Sequence, residues 1–161
     1  MNKLLLGTAL GGAIALHGLS TLPATAQTKD NLTIGFTLEP PHLDPTAGAA
    51  GAIDATVYAN VFEGLTRIDE NGAVQPQLAE SWSVSEDGLV YTFNLKTGVT
   101  FHDGTAFDSD DVVFSFDRAQ AENSVNAQKP LFVAIEKVVA VDPQTVQVVL
   151  WRPEGSLLFN L

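Results

Sequence analysis

The chain has 161 residues, no cysteine, 45% hydrophobic and 17% charged residues, and 8 Lys plus Arg against 19 Asp plus Glu, for a net charge of -11. This composition excludes a long disordered chain, a disulfide scaffold and a Cys-ligated zinc module. It also argues against nucleic acid as a partner, because binding a phosphate backbone takes clustered Lys and Arg, and here the cations stand singly among carboxylates.

Lys3, an apolar run over 4–16 and a small-residue tail ending in Ala24-Thr25-Ala26 have the layout of a secretory signal peptide. Pro23 breaks the helix before the tail, and Ala24 and Ala26 supply the small side chains a signal peptidase accepts. Cleavage is therefore expected between Ala26 and Gln27, with 1–26 removed. The apolar run is shorter than the roughly 20 residues a membrane-spanning helix needs. Removing Lys3 leaves 7 cations against 19 anions, a net charge of -12 on the mature chain. No Cys stands at the cleavage site to take a lipid, so an exported, soluble protein free of a lipid tether is expected.

After a polar linker, residues 32–38 alternate apolar and polar, which predicts a half-buried strand. Residues 39–52, rich in Pro, Gly and Ala, read as a loop. A helix is expected over 53–65, where Ile53, Val57, Val61 and Leu65 recur every four residues and Gly64 would cap the end. Strands at 65–68 and 73–76 flank the turn Asp69-Glu70-Asn71-Gly72, and strands at 81–85 and 90–95 flank Glu86-Asp87-Gly88, a strong hairpin signal. A second helix opens at Asp108, with Asp111 placed to complete a capping box and Val112, Val113, Phe116 and Ala119 as its buried stripe. A final hairpin pairs 135–141 with 146–151 across Asp142-Pro143-Gln144-Thr145. The apolar ending 156–161 lacks a polar tail, from which a longer parent chain is expected.

Residues that could carry chemistry have structural explanations beside the functional ones. His102-Asp103 could be a base with its orienting carboxylate, but Phe101-His102-Asp103-Gly104-Thr105 reads better as a turn. His42, with Asp44 two residues on, could touch a ligand or a metal, yet no third ligand is near in sequence and a surface or packing role is the plainer reading. The pairs Asp110-Asp111 and Glu86-Asp87 fall where helix starts and turns want acids. Trp82, Tyr91 and Phe93 alternate on paired strands and are expected to form one side of a core. Neither a phosphate-binding Gly-rich loop nor a nucleophile elbow is present.

The ordered series Leu78-Ala79-Glu80-Ser81-Trp82-Ser83-Val84-Ser85-Glu86-Asp87-Gly88, Tyr91-Thr92-Phe93, Phe101-His102-Asp103-Gly104-Thr105 and Asp110-Asp111-Val112-Val113-Phe114-Ser115 resembles solute-binding protein family 5. Phe62-Glu63-Gly64-Leu65 and Val141-Asp142-Pro143-Gln144-Thr145-Val146 extend the likeness. These are the dipeptide, oligopeptide and nickel type binding proteins of bacterial ABC importers. The resemblance implies an α/β fold, periplasmic binding protein-like of class II with an extra domain, of which this chain is the N-terminal part. In those terms 27–45 are the first strand and loop of lobe one, and 46–161 are the extra domain, truncated at its end.

It further implies that Thr37, Leu38 and Glu39, at the end of the first strand, bind ligand through their backbone, while the histidine turn is scaffold. The expected partners are a peptide or other small solute and the ABC permease subunits of the inner membrane; the protein is expected to be a monomer with no cofactor, no metal and no catalytic residue. Peptides, metal chelates, haem, opines and sugars are all carried on this scaffold, and the sequence does not choose among them. The competing expectation is an exported hydrolase using the acids between Glu39 and Asp44.

Overall fold

A computed structural model describes residues 31–48, 50–58 and 60–161. The expected signal peptide and its cleavage point at Ala26-Gln27 lie outside the described residues. Residues from Phe36 to Leu161 form one compact body, and residues 31–35 before it carry neither helix nor strand.

The body is built on a four-stranded antiparallel sheet. Helix α1 (Gly51–Val57) and a two-stranded hairpin, β1 (Thr66–Ile68) with β2 (Val74–Pro76), come first in the chain. Strands β3 (Ala79–Val84), β4 (Val90–Leu95), β5 (Ile135–Asp142) and β6 (Thr145–Leu150) then assemble in the order β3-β4-β6-β5, with helix α2 (Ser109–Gln120) inserted between β4 and β5. The two central strands explain the order. Tyr91, Phe93 and Leu95 alternate along β4, Val146, Val148 and Leu150 alternate along β6, and all six are buried. Antiparallel pairing sets Phe93 opposite Val146 and Tyr91 opposite Val148, so one face of the sheet becomes continuous apolar surface. Helix α2 covers it with Val112 and Phe116.

Hairpin turns and caps follow their residue types. Gly88 takes φ +71°, a conformation costly for any side chain, where the chain reverses between β3 and β4. There Asp87 Oδ1 accepts from the Leu89 N–H at 3.0 Å and the Ser85 hydroxyl at 2.6 Å. At α2, Asp108 Oδ1 accepts from the Asp110 N–H and Asp111 Oδ2 accepts from the Asp108 N–H, both at 2.9 Å, completing the expected capping box. Trp82, Tyr91 and Phe93 do form core: Trp82 is half-buried opposite Phe93, and the Tyr91 and Phe93 rings lie 6.5 Å apart, nearly parallel.

Two expectations fail. Residues 32–38 make no ladder, and Thr37 and Leu38 stand in a bend with Leu38 exposed. Alternation states which face each side chain would take; a strand also needs a partner edge to satisfy its N–H and C=O groups, and none pairs with this segment among the described residues. The first helix stops at Val57, eight residues short of the expected end. Tyr58 turns extended, and the N–H groups of Val61 and Phe62 both return to the Val57 carbonyl, at 2.9 and 3.0 Å. Leu65 has better partners outside a helix: its N–H donates to the Leu161 carbonyl at 2.7 Å, and its own carbonyl accepts from Gln77 and Ala79 at 3.1 and 3.0 Å. Gly64 is accordingly not a helix cap. A Cβ there would stand 2.3 Å from the Leu161 carbonyl oxygen and 2.8 Å from that of Thr66, so glycine is needed for close backbone approach.

Candidate functional site

Two adjoining grooves open on one side of the body and share Phe62 and Ser115. The first, of about 620 Å³, runs between the 61–65 segment, the histidine turn and α2, with Phe62, Leu78, Phe101, Phe107 and Phe116 among its walls. Two carboxylates on its rim are already engaged. Asp103 Oδ1 accepts from the Thr105 N–H at 2.9 Å and the Thr105 hydroxyl at 2.7 Å, and these bonds hold its carboxyl below the ordinary carboxylate range. Asp111 is committed to the cap of α2. His102 is exposed on a turn closed by Phe101 N–H to Thr105 O at 2.8 Å and Gly104 N–H to Phe101 O at 2.9 Å, with Gly104 at φ +88°. That is the geometry of a turn built for itself, as its sequence suggests.

The second groove, of about 640 Å³, is lined by His42, Asp44, Phe62, Phe114 and Arg118 among others. The Arg118 guanidinium makes an ion pair with the Asp44 carboxylate, its second nitrogen reaching Asp44 Oδ1 at 3.5 Å. The Thr46 hydroxyl and N–H also donate to Asp44 Oδ1, at 2.7 and 2.9 Å. Arg118 first and the Thr46 hydroxyl second pull the Asp44 carboxyl from its ordinary 3.8 to about 2. A carboxylate so stabilised is a poor general base at neutral pH. His42 contributes to the same turn, its Nδ1 accepting from the Asp44 N–H at 3.3 Å.

This ion pair ties the Pro-rich loop to α2, and its effect depends on pH. The folded state holds the Asp44 pKa below its unfolded value, so the pair contributes fully above the ordinary 3.8 and its contribution is lost as pH falls towards about 2. Because Arg118 and Asp44 are 49% and 35% exposed, water screens the pair. Asp44→Asn should therefore cost about 0.5 to 1 kcal/mol at neutral pH. Urea unfolding of both proteins across that range checks it: the gap should close at the acid end, and a gap independent of pH would contradict the assignment.

Of the predicted ligand residues, Thr37, Leu38 and Glu39 are all exposed, in or beside the bend that replaces the expected strand. They do not line either groove. Arg118 escaped the sequence reading altogether. Its partner lies 74 residues earlier, a separation across which a single sequence gives no pairing signal. Among the described residues no group of three or more His, Asp or Glu is placed to hold a metal ion, and no helix is long and apolar enough to cross a membrane.

Residues 73–161 match the family model described as bacterial extracellular solute-binding proteins, family 5, middle. The chain belongs to that family. The matched residues start at the β1–β2 hairpin and carry the whole four-stranded sheet with α2. A glutathione-binding protein GsiB of Pectobacterium atrosepticum is 37% identical over 119 residues, covering 74% of this chain and 23% of the relative. A dipeptide-binding protein of Escherichia coli is 44% identical over 110 residues, covering 55% of this chain and 20% of the relative. Among solved structures, NikZ from Campylobacter jejuni in complex with Ni(L-His) superposes with a TM-score of 0.68 at 35% identity, covering 77% of this chain and 24% of that one. This family 5 chain thus spans between a fifth and a quarter of the length of these relatives.

Proposed function

We propose that this chain is the N-terminal part of the solute-binding component of an ABC importer, which captures a peptide or similar small solute outside the inner membrane and delivers it unchanged to the membrane permease. The observation that carries the reading is the family match over 73–161, because it takes in the whole four-stranded sheet and α2 rather than a short motif. Relatives named for binding glutathione and dipeptides, and a similar structure holding a nickel-histidine complex, favour small solutes with amino and carboxylate groups. The protein acts as a free periplasmic monomer after losing residues 1–26, and N-terminal sequencing of the exported form should begin at Gln27.

Calorimetry of the full-length protein against glutathione, dipeptides, longer peptides and nickel-histidine tests the proposal. One of these should bind saturably and be recovered intact. Turnover without saturable binding would support the hydrolase instead.

Within this reading Thr37, Leu38 and Glu39 line the ligand cleft of the complete protein, presenting main-chain groups that read any extended peptide alike. Glu39→Ala in the full-length protein should weaken binding of ligands with a free amino terminus by about 1 to 3 kcal/mol, the range of a charge-assisted hydrogen bond. His102→Ala should leave affinity unchanged. The reverse outcome, read by the same calorimetry, would move the site to the histidine turn.

A further inference from the structure

Outside the grooves, one turn joins an Asn-Gly sequence to an open local geometry. Asn71 and Gly72 cap the hairpin between β1 and β2, both exposed, with Gly72 at φ +79° and no heavy atom within 4 Å of where a Cβ would stand. The turn's hydrogen bonds use the main chain of Asn71, not its amide. Asp69 Oδ1 accepts from the N–H groups of Asn71 and Ala73, both at 2.9 Å, and the Asp69 carbonyl accepts from the Gly72 N–H at 3.0 Å. The hairpin beneath is short. Each strand has three residues, and the outermost pair, Thr66 with Pro76, includes a residue with no N–H to donate. A two-stranded ribbon of this length is marginal by itself and opens locally far more easily than the four-stranded sheet.

We propose that Asn71 is a site of spontaneous covalent modification, converted to aspartate and isoaspartate whenever the β1–β2 hairpin opens. In the opened turn the Gly72 nitrogen, unshielded by any Cβ, attacks Cγ of Asn71 and gives its proton to water. The Cγ–Nδ2 bond breaks, ammonia leaves, and a cyclic succinimide remains. Water then opens the ring: breaking the new bond to Cγ gives aspartate, and breaking the bond to the main-chain carbonyl gives isoaspartate. No oxidant, metal or enzyme is required. In the closed turn the Gly72 N–H is held by the Asp69 carbonyl, so Asp69 acts as a brake through the bonds that keep the hairpin shut. Either product adds a negative charge beside Asp69 and Glu70, and isoaspartate also lengthens the main chain inside the turn, which displaces the N–H groups from Asp69 Oδ1.

The test is peptide mapping of the purified protein during incubation at mildly alkaline pH, with Asn123 as internal reference. Asn123 is also exposed in a turn, but the residue after it is Ser124, whose Cβ hinders the same attack. Conversion at Asn71 should exceed that at Asn123 several-fold. It should rise several-fold again in Asp69→Ala, which removes the side-chain brake, and stay near the original rate in Asp69→Asn, which keeps an acceptor oxygen. An unchanged rate at Asn123 in the same samples shows that the rest of the fold is intact. Equal conversion at Asn71 and Asn123 would overturn the proposal, and so would an Asp69→Ala protein that converts Asn71 no faster.

Discussion

Phe93→Ala should lower unfolding stability by about 3 to 5 kcal/mol, the cost of emptying a large aromatic site in a core that cannot collapse around it. Phe93 has no exposed surface at all. It sits mid-strand in β4, with Trp82 opposite on β3 and Val146 opposite on β6, and its ring stands between those of Trp82 and Tyr91 at 6.4 and 6.5 Å. Strands on both sides fix the backbone, so neighbours cannot move in to fill the void. Against a total stability of about 5 to 15 kcal/mol for an ordinary domain, such a loss removes a large part of the folded state's margin. Phe93→Leu should cost less, roughly 1.5 kcal/mol, because most of the volume is kept. Phe114→Ala, at a site 67% exposed, should stay within about 0.5 kcal/mol. Urea denaturation followed by circular dichroism measures all three, and equal effects at Phe93 and Phe114 would show that the sheet face is not the core.

The same residues explain why so much of this unit could be read from sequence. In β4 and β6 burial follows a period of two because one face meets α2 and the other does not, so the apolar alternation of Tyr91, Phe93, Leu95 and of Val146, Val148, Leu150 maps directly onto structure. Asp108 with Asp111, and Asp87 with Gly88, are local devices whose partners lie within three residues. Errors arose where the deciding partner is distant. Val61 and Leu65 fit a helical recurrence with Ile53 and Val57, but Leu65 is claimed by Leu161, Gln77 and Ala79 instead. The segment 32–38 has the pattern of a strand and no edge to pair with among the described residues.

For the candidate site the division is sharper. The histidine turn and the acidic pairs are legible as turns and caps because that chemistry is local, and the structure places Asp103 in a turn and Asp111 in a cap. The pairing of Asp44 with Arg118 was not recognisable, since a loop and a helix face meet there only through the fold. The residues assigned to ligand, Thr37 to Glu39, rest on family likeness. A local pattern encodes turns, caps and faces, not the facing walls of a ligand cleft.

Gly64→Ala separates the two accounts of that glycine. As a helix cap in the left-handed conformation, Gly64 would tolerate Asn nearly as well and lose only about 1 kcal/mol to Ala. As a point of close approach it tolerates no Cβ. The added carbon would fall 2.3 Å from the Leu161 oxygen, 2.8 Å from the Thr66 oxygen and 3.0 Å from the Leu161 carbonyl carbon, and all three are main-chain atoms that cannot swing aside as a side-chain tip would. The segment is pinned on both sides: the Gly64 carbonyl accepts from the Leu78 N–H at 3.0 Å, and the Gly64 N–H donates to Gln77 Oε1 at 3.2 Å. Relief would have to separate the 64–66 segment from Leu161, at the expense of the 2.7 Å bond from the Leu65 N–H. Overpacking costs about 1 to 3 kcal/mol and the lost hydrogen bond about 1 kcal/mol more. Gly64→Ala should therefore destabilise by roughly 2 to 4 kcal/mol, with Gly64→Asn at least as harmful. Gly155→Ala is the control, because a Cβ there meets nothing within 4 Å and no left-handed backbone is involved. It should be neutral or stabilise by up to about 1 kcal/mol through the unfolded state. Denaturation curves in which Gly64→Asn matches wild type while Gly64→Ala falls only slightly would restore the cap and rule out the close approach.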